Sequence, residues 1–339
     1  MQKLIHYGIP ELLVDLIKYW YANQFVCVKY MSHYSKDWKI GNGVRQGGVL
    51  SGLFFGIYVD SLLTELSKMN IGCKMGIFPS NILAYADDVV LLAPSFKSLQ
   101  LLINKASNLG LSLDLNFNLQ KTKCMIFRCK RRTTEGIVVS KFQLNGNPID
   151  FVNSFKYLGF LISCRLNDDL DICRVRSKFY SDFNSMFRQF SFTDREVKLF
   201  LFKQYCLQMY GCELWFCNSC SLTSLKQFSI GYHKAIKKLL ELSSHESNHY
   251  ACQEAQLFTF QHFVNKCKIL AAYRLFTYPC AYILKVNDFL SISSMFLSHV
   301  YDLLSHVYGL DSLLDNDRDA LVSRISFTQN HEEQMRAHW

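Results

Sequence analysis

The stretch NILAYADDVVLLAP, residues 81–94, decides how the rest of the chain is read. Two short apolar runs flank a pair of adjacent aspartates, Asp87 and Asp88. The pattern predicts a β-hairpin with strands over 82–86 and 89–93 and both carboxylates at its turn. Like charges side by side repel, so either water screens them at an ordinary polar turn or a cation holds them together. Aspartate is common in turns, and the pair alone does not choose between the two.

Working outward, residues 10–21 read as a helix, with Pro10 in its first turn and Leu12, Leu13, Leu16, Ile17 and Trp20 on one face. FVCVKY (25–30) reads as a strand and GNGVRQGG (41–48) as a glycine-rich loop. A helix follows from Ser51, a good N-cap, to about Lys68. Another covers 97–109, with Leu99, Leu102, Ile103 and Ala106 inward and Gly110 ending it. TKCMIF (122–127) and FKYLGFLI (155–162) read as strands, and Asn145-Gly146 as a hairpin turn. From about Arg165 onward helical periodicity takes over. The predicted fold class is therefore α+β over residues 1–163 and all-helical over 164–325, with a polar tail at 326–339.

Half of the 339 residues are apolar and 19% are charged, which excludes disorder over most of the length. A net charge of +9 leans toward a polyanionic partner. Thirteen cysteines, with no apolar leader at the N-terminus, suggest reduced thiols in an intracellular protein. The best apolar run, GVLSGLFFGIYVDSLL (48–63), is short and interrupted by Ser51 and Asp60, so no membrane span is expected.

GVRQGGVLSGLFFGIYVDSLL (43–63) joins a flexible loop to a helix N-terminus, where backbone N–H groups and Arg45 form an anion site and Gln46 can hydrogen-bond a base or sugar edge. Taken alone it is only suggestive. The order GVRQGGVLS (43–51), YADD (85–88), NLQKTKCMIF (118–127), FKYLG (155–159) is far more specific. In these motifs the chain resembles the reverse transcriptases of non-long-terminal-repeat (LINE-type) retrotransposons, closely over about residues 3–165. The likeness continues more loosely through YGCELW (210–215), YHKAIKKLL (232–240) and SNHYACQ (247–253).

The resemblance implies an incomplete right-hand polymerase palm, an antiparallel sheet with packed helices, followed by a helical thumb and connector. It implies RNA-directed DNA polymerisation by Mg²⁺-assisted nucleotidyl transfer to a primer 3′-hydroxyl, with an RNA template, a DNA primer and deoxynucleoside triphosphates as partners. A nuclear location follows from the same likeness. Asp87 and Asp88 take the metal-binding places, Asp87 the firmer of the two. Tyr85 and Ala86 lie near the primer end. Arg45, Gln46 and Gly47 approach nucleotide and template, and Lys121 stands near the triphosphate as charge stabiliser or acid. Tyr157, Leu158 and Gly159 form a primer grip on a hairpin.

The family's third catalytic aspartate precedes a segment like LIHYGIP, which here begins at residue 4. Asp15, Asp37 and Asp60 lack the strand setting to replace it, so a truncated copy or incomplete gene, impaired in catalysis, is expected. Gly52 stands where the family usually has proline. The alternative is a non-catalytic nucleic-acid-binding remnant.

Three further patterns favour ordinary readings or leave the choice open. Cys212, Cys217, Cys220, His245 and His249 have the residue types of a zinc site, but the gap from Cys220 to His245 is too long, and buried or half-buried thiols are the better reading. RCKRR (128–132) suits phosphate contact and a solvated loop equally. Lys234, Lys237 and Lys238 share one side of a helix opposite Leu239 and Leu242, as a surface helix or a duplex-tracking one would.

Overall fold

Gly, Pro and Asn punctuation cuts the first half of the chain into short strands between longer helices. The computed structural model describes residues 2–41, 43–76, 78–127, 141–215 and 222–277. In chain order the elements begin α1 (Gln2–His6), α2 (Glu11–Ala22), β1 (Phe25–Val26), β2 (Lys29–Tyr30), β3 (His33–Tyr34), β4 (Trp38–Lys39) and α3 (Ser51–Lys68). Then come β5 (Lys74–Met75), β6 (Phe78–Pro79), β7 (Ile82–Tyr85), β8 (Asp88–Leu91), α4 (Phe96–Ser112), β9 (Lys123–Cys124), β10 (Gln143–Leu144), β11 (Asn147–Pro148) and β12 (Asp150–Phe151). The hairpin β13 (Ser154–Tyr157) and β14 (Phe160–Ser163) precedes α5 (Asp169–Gln189), α6 (Arg195–Leu201), α7 (Leu222–Leu239), α8 (Asn248–Glu254) and α9 (Phe260–Thr277). A π turn at Phe202–Cys206 and a 3₁₀ turn at Cys212–Leu214 lie between α6 and α7.

The chain divides into two compact units, one of residues 1–122 and 141–149, the other of 123–140 and 150–339. The strands form seven separate two-stranded ladders among the described residues, and all but the parallel pair β9–β12 are antiparallel. The architecture is mixed helix and small sheets; the one antiparallel sheet expected for a palm is not continuous here. The reason is local. Strand 25–30 breaks because residues 27–28 face 35–37 across a bulge. In 122–127 the amide and hydroxyl of Thr122 both go to the Asn118 carbonyl, leaving only Lys123–Cys124 in a ladder. The stretch 155–162 is a hairpin rather than one strand, turning at Leu158 (φ 45) and Gly159 (φ 87).

In the first unit, Leu62 and Leu66 of α3 pack on Leu102 and Ala106 of α4, with Ile82 and Leu91 of the β7–β8 hairpin against them. Ser95 caps α4 by accepting from the Ser98 amide at 3.2 Å. The helix runs through Gly110 to Ser112, where a Cβ at Gly110 would lie 3.0 Å from the Leu115 carbonyl, so this glycine admits the returning chain rather than ending the helix. Ser51 does not cap α3; its hydroxyl donates to the Arg45 carbonyl at 2.6 Å and closes the loop before the helix. Gln100 clasps Gln143 in both directions, holding the β10–β11 hairpin, with its predicted Asn145-Gly146 turn, on α4. On α2 the shared apolar face is exposed: Leu12, Leu13, Leu16 and Trp20 all face out, and Val14 is the buried residue.

In the second unit, from α5 onward, the described regular elements are all helical. Ile172, Phe179, Phe202, Phe228, Tyr232 and Phe260 are its fully buried centre. Burial of six large apolar side chains at roughly 1.5–3 kcal/mol each is the dominant stabilising term here. The basic side of α7 is partly engaged: Lys238 lies 4.3 Å from the Phe187 ring centroid, and Lys237 donates to the Ser244 carbonyl at 3.1 Å. Cys212 is buried and hydrogen-bonded to Cys267, while His245 and His249 are exposed; Cys217, Cys220, RCKRR (128–132) and everything past residue 277 lie outside the described residues.

His233 on α7 is buried, and burial lowers its pKa, with Lys237 adding to the shift. Its Nε2 accepts from the Phe260 amide at 3.5 Å, a bond only the unprotonated nitrogen makes. Because the folded value is below the unfolded one, the stabilisation is complete above about pH 6.5 and is lost as pH falls through that value toward the folded pKa. Thermal melts between neutral and mildly acidic pH should therefore fall more steeply in the wild type than in His233→Gln; parallel curves would remove His233 as the source.

Candidate functional site

The β7–β8 hairpin pairs Ile82 with Leu91 through to Tyr85 with Asp88, leaving Ala86-Asp87 as a two-residue turn. Asp87 is thus at the turn, and Asp88 is the first residue of β8. Ala86 has φ 51, in the left-handed region that a residue carrying a Cβ adopts at a cost. Both aspartates are exposed, and among the described residues neither carboxylate takes a hydrogen bond or an ion pair. Two unpaired hard oxygen donors fit a divalent cation. They do not complete such a site: no group of three or more His, Cys, Asp or Glu able to hold a metal occurs among the described residues. Other acids have partners elsewhere, Asp15 with Lys18 at 2.7 Å and Asp60 with the Tyr7 hydroxyl at 3.0 Å.

What steadies the hairpin is a residue that the motifs do not contain. Asn81, 1% exposed, donates from Nδ2 to the carbonyls of Leu66 (2.7 Å), Ile71 (3.1 Å) and Met69 (3.3 Å). Those are carbonyls at and just past the end of α3, where helical N–H partners run out; the Leu66 carbonyl also accepts the Met69 N–H at 3.2 Å. Its own carbonyl accepts from Leu92 at 2.8 Å, and the Leu92 carbonyl accepts from Cys73 at 3.0 Å. The base of the hairpin is thereby sewn to the C-terminus of α3. Gly72, at φ 97, lies so close that a Cβ would meet Asn81 Cβ at 2.4 Å and the Leu92 carbonyl at 2.9 Å.

Arg45, Gln46 and Gly47 form an exposed turn before α3, closed by Gly48 N–H to Arg45 O at 3.1 Å, with Gly47 at φ 76. Lys121 is exposed in a loop organised by Asn118, whose Oδ1 accepts from the amides of Gln120 (3.0 Å) and Lys121 (3.1 Å). In the second unit, Tyr157 ends β13, paired with Phe160, and Leu158 and Gly159 form the two-residue β13–β14 turn. Gly159 abuts Tyr210, whose ring lies 5.0 Å from Phe160. This hairpin too rests on a polar residue that the motifs omit. Asp171 on α5, 4% exposed, accepts from the Leu161 amide at 3.0 Å, Trp215 Nε1 at 3.0 Å and Arg174 Nε at 2.7 Å.

The family model for reverse transcriptase (RNA-dependent DNA polymerase) matches residues 1–162. Over 159 residues the chain is 30% identical to a retrovirus-related Pol polyprotein from the type-2 retrotransposable element R2DM of Drosophila melanogaster, covering 45% of this chain and 15% of that one. It is 26% identical over 168 residues to the Pol polyprotein from the type-1 retrotransposable element R2 of Popillia japonica, covering 46% and 27%. To the probable RNA-directed DNA polymerase from transposon X-element of Drosophila melanogaster it is 22% identical over 227 residues, covering 63% and 24%. The chain thus spans less than a third of the length of each of these relatives. No solved structure matches, and no described helix is long and apolar enough to cross a membrane.

Proposed function

We propose, from the premise that residues 1–162 are a reverse transcriptase domain of the LINE type, that the chain carries the palm of an RNA-directed DNA polymerase. On this reading residues 1–163 are the palm, 164–325 the thumb and connector, and 326–339 a tail. RNA template, DNA primer and deoxynucleoside triphosphates are the partners, and the nucleus is the place of action. The observation that carries the reading is the pinned hairpin with two exposed carboxylates free of protein partners.

Asp87 in the hairpin turn and Asp88 beside it would hold divalent metal, Asp87 more tightly. Mg²⁺, when bound, supplies the charge that activates a primer 3′-hydroxyl and neutralises the triphosphate. Arg45 and the backbone of Gly47 bind anionic oxygens of the incoming nucleotide, and Gln46 reads a template or sugar edge. Lys121 stabilises charge on, or gives a proton to, the departing pyrophosphate. Tyr85 and Ala86 border the primer end, and Tyr157, Leu158 and Gly159 hold the primer backbone.

A nucleic-acid-binding remnant without chemistry is the second reading, favoured because the described residues bring no third acid, histidine or cysteine to a metal. The test is primer extension on a poly(A) template beside a Mn²⁺ titration followed by electron paramagnetic resonance. Metal binding should weaken about tenfold in Asp87→Ala and less in Asp88→Ala, as charge leaves the site. Mg²⁺-dependent extension lost in Asp87→Ala establishes the polymerase. Salt-sensitive binding with background extension establishes the remnant. Unchanged Mn²⁺ affinity in Asp87→Ala, with no nucleic-acid binding, removes both.

A further inference from the structure

The ladders β1–β4 and β2–β3 make one bulged ribbon over residues 24–40, on which every residue from Cys27 to Lys39 is exposed. Exposed ribbons are ordinarily polar, and this one is not. Phe25 is 59% exposed, Tyr30 70%, Tyr34 64% and Trp38 49%. The register gives these rings company. Phe25 pairs with Lys39, Tyr34 with Lys29, Tyr30 with His33, and Trp38 with Val26. Cross-strand partners share a face about 5 Å apart, so three of the four rungs set an aromatic ring beside a basic side chain. Lys29 Nζ lies 5.4 Å from the Tyr34 ring centroid. Lys36 sits on the bulge, Asp37 is the sole acid of the ribbon, and among the described residues no lysine of the ribbon has an ion-pair partner.

We propose that this ribbon is a docking surface for single-stranded nucleic acid, its rings stacking on bases and its lysines meeting the phosphates between them. Every base has a π-face, and stacking on exposed aromatics with cations alongside is how strands are held without sequence readout. A duplex hides its base faces and would gain only the lysine contacts. A dry protein interface would bury unpaired lysines at a desolvation cost. The ribbon extends the nucleic-acid partner named above to a second surface. It rests on its own chemistry and needs neither the aspartates nor a metal.

The test uses the full chain in EDTA with fluorescein-labelled oligo(U) RNA, read by anisotropy at several salt concentrations. The combined Tyr30→Ala, Tyr34→Ala, Trp38→Ala variant should bind about tenfold or more weakly with an unchanged salt slope. Combined Lys29→Gln, Lys36→Gln and Lys39→Gln should lower the salt slope by about 2. Tyr30→Phe with Tyr34→Phe should bind as wild type. A 4-thiouridine oligomer should photo-crosslink to the tryptic peptides 30–36 or 37–39. Should the alanine variant fail to fold, the lysine variant and the crosslink decide. Unchanged affinity in the aromatic variant, or crosslinks only elsewhere, overturns the proposal. So does self-association or anionic-vesicle binding that the aromatic variant loses while oligo(U) binding persists. Background primer extension with ribbon-dependent oligo(U) binding sinks the catalytic reading alone, and Mg²⁺-dependent extension with ribbon-independent binding sinks this one alone.

Discussion

Asp171→Ala is expected to lower the unfolding free energy of the helical unit by about 3–5 kcal/mol, the range for breaking a buried ion pair from one side. The carboxylate is 4% exposed and takes three hydrogen bonds: Leu161 N–H from β14, Trp215 Nε1, and Arg174 Nε. Its removal orphans an amide and an indole N–H and leaves the Arg174 guanidinium, 2.6 Å from Asp171 Oδ1 in the native chain, without its counter-charge. Trp215 is itself 1% exposed, so its N–H has no water to turn to. Asp171→Asn keeps the shape and one acceptor oxygen but aims an amide NH₂ at a donor, and should cost about half as much. Urea unfolding followed by hydrogen exchange at the Leu161 amide reads both effects. A loss under about 1 kcal/mol for the alanine variant would show that this network is incidental to the fold.

The contrast between what was legible and what was not follows from how local each signal is. The β7–β8 hairpin is written in adjacent residues, two apolar runs around a polar turn, and so is the Asn145-Gly146 turn. The strand pattern of 155–162 does not show its turn, because Leu158 occupies the left-handed region at φ 45, where leucine is unusual; the resemblance, which implies a hairpin at Tyr157, Leu158 and Gly159, does point to it. Ser51 and Gly110 carry helix-end chemistry, yet Ser51 spends its hydroxyl on Arg45, and Gly110 is selected by the close approach of Leu115. The exposed face of α2 has the periodicity of a buried one, and periodicity cannot say whether anything covers it. As for the candidate site, the ordered motifs name residues on turns and loops. The side chains beneath those turns, Asn81 and Asp171, look like any surface Asn or Asp in one dimension. Only contacts across tens of residues make them buried.

Asn81→Asp replaces a single NH₂ by oxygen and is expected to destabilise the first unit by about 3–4 kcal/mol at neutral pH, more than an ordinary buried substitution. The Asn81 amide nitrogen meets three carbonyl oxygens, those of Leu66, Met69 and Ile71, within 2.7–3.3 Å. A carboxylate there faces acceptors with acceptors, in a place where water cannot intervene. The effect carries a sign in pH. Burial and those carbonyls favour the neutral acid, raising the introduced group's folded pKa above its unfolded value of about 3.9. Its relative stability is therefore complete below the unfolded value and lost as pH rises through the folded one. The variant should recover toward wild type on acidification, whereas Asn81→Ala, expected to lose about 2–3 kcal/mol, should show no such recovery. Gly72→Ala tests the same joint from the other side, through a Cβ 2.4 Å from Asn81 Cβ and a strained φ of 97, at a comparable cost of about 3 kcal/mol. Because this joint holds the hairpin rather than touching metal, both variants at low temperature should loosen hydrogen-exchange protection at Leu92 before they change global unfolding. If Asn81→Asp melts with the wild type across the whole pH range, the amide is not what fixes the aspartate-bearing hairpin to α3.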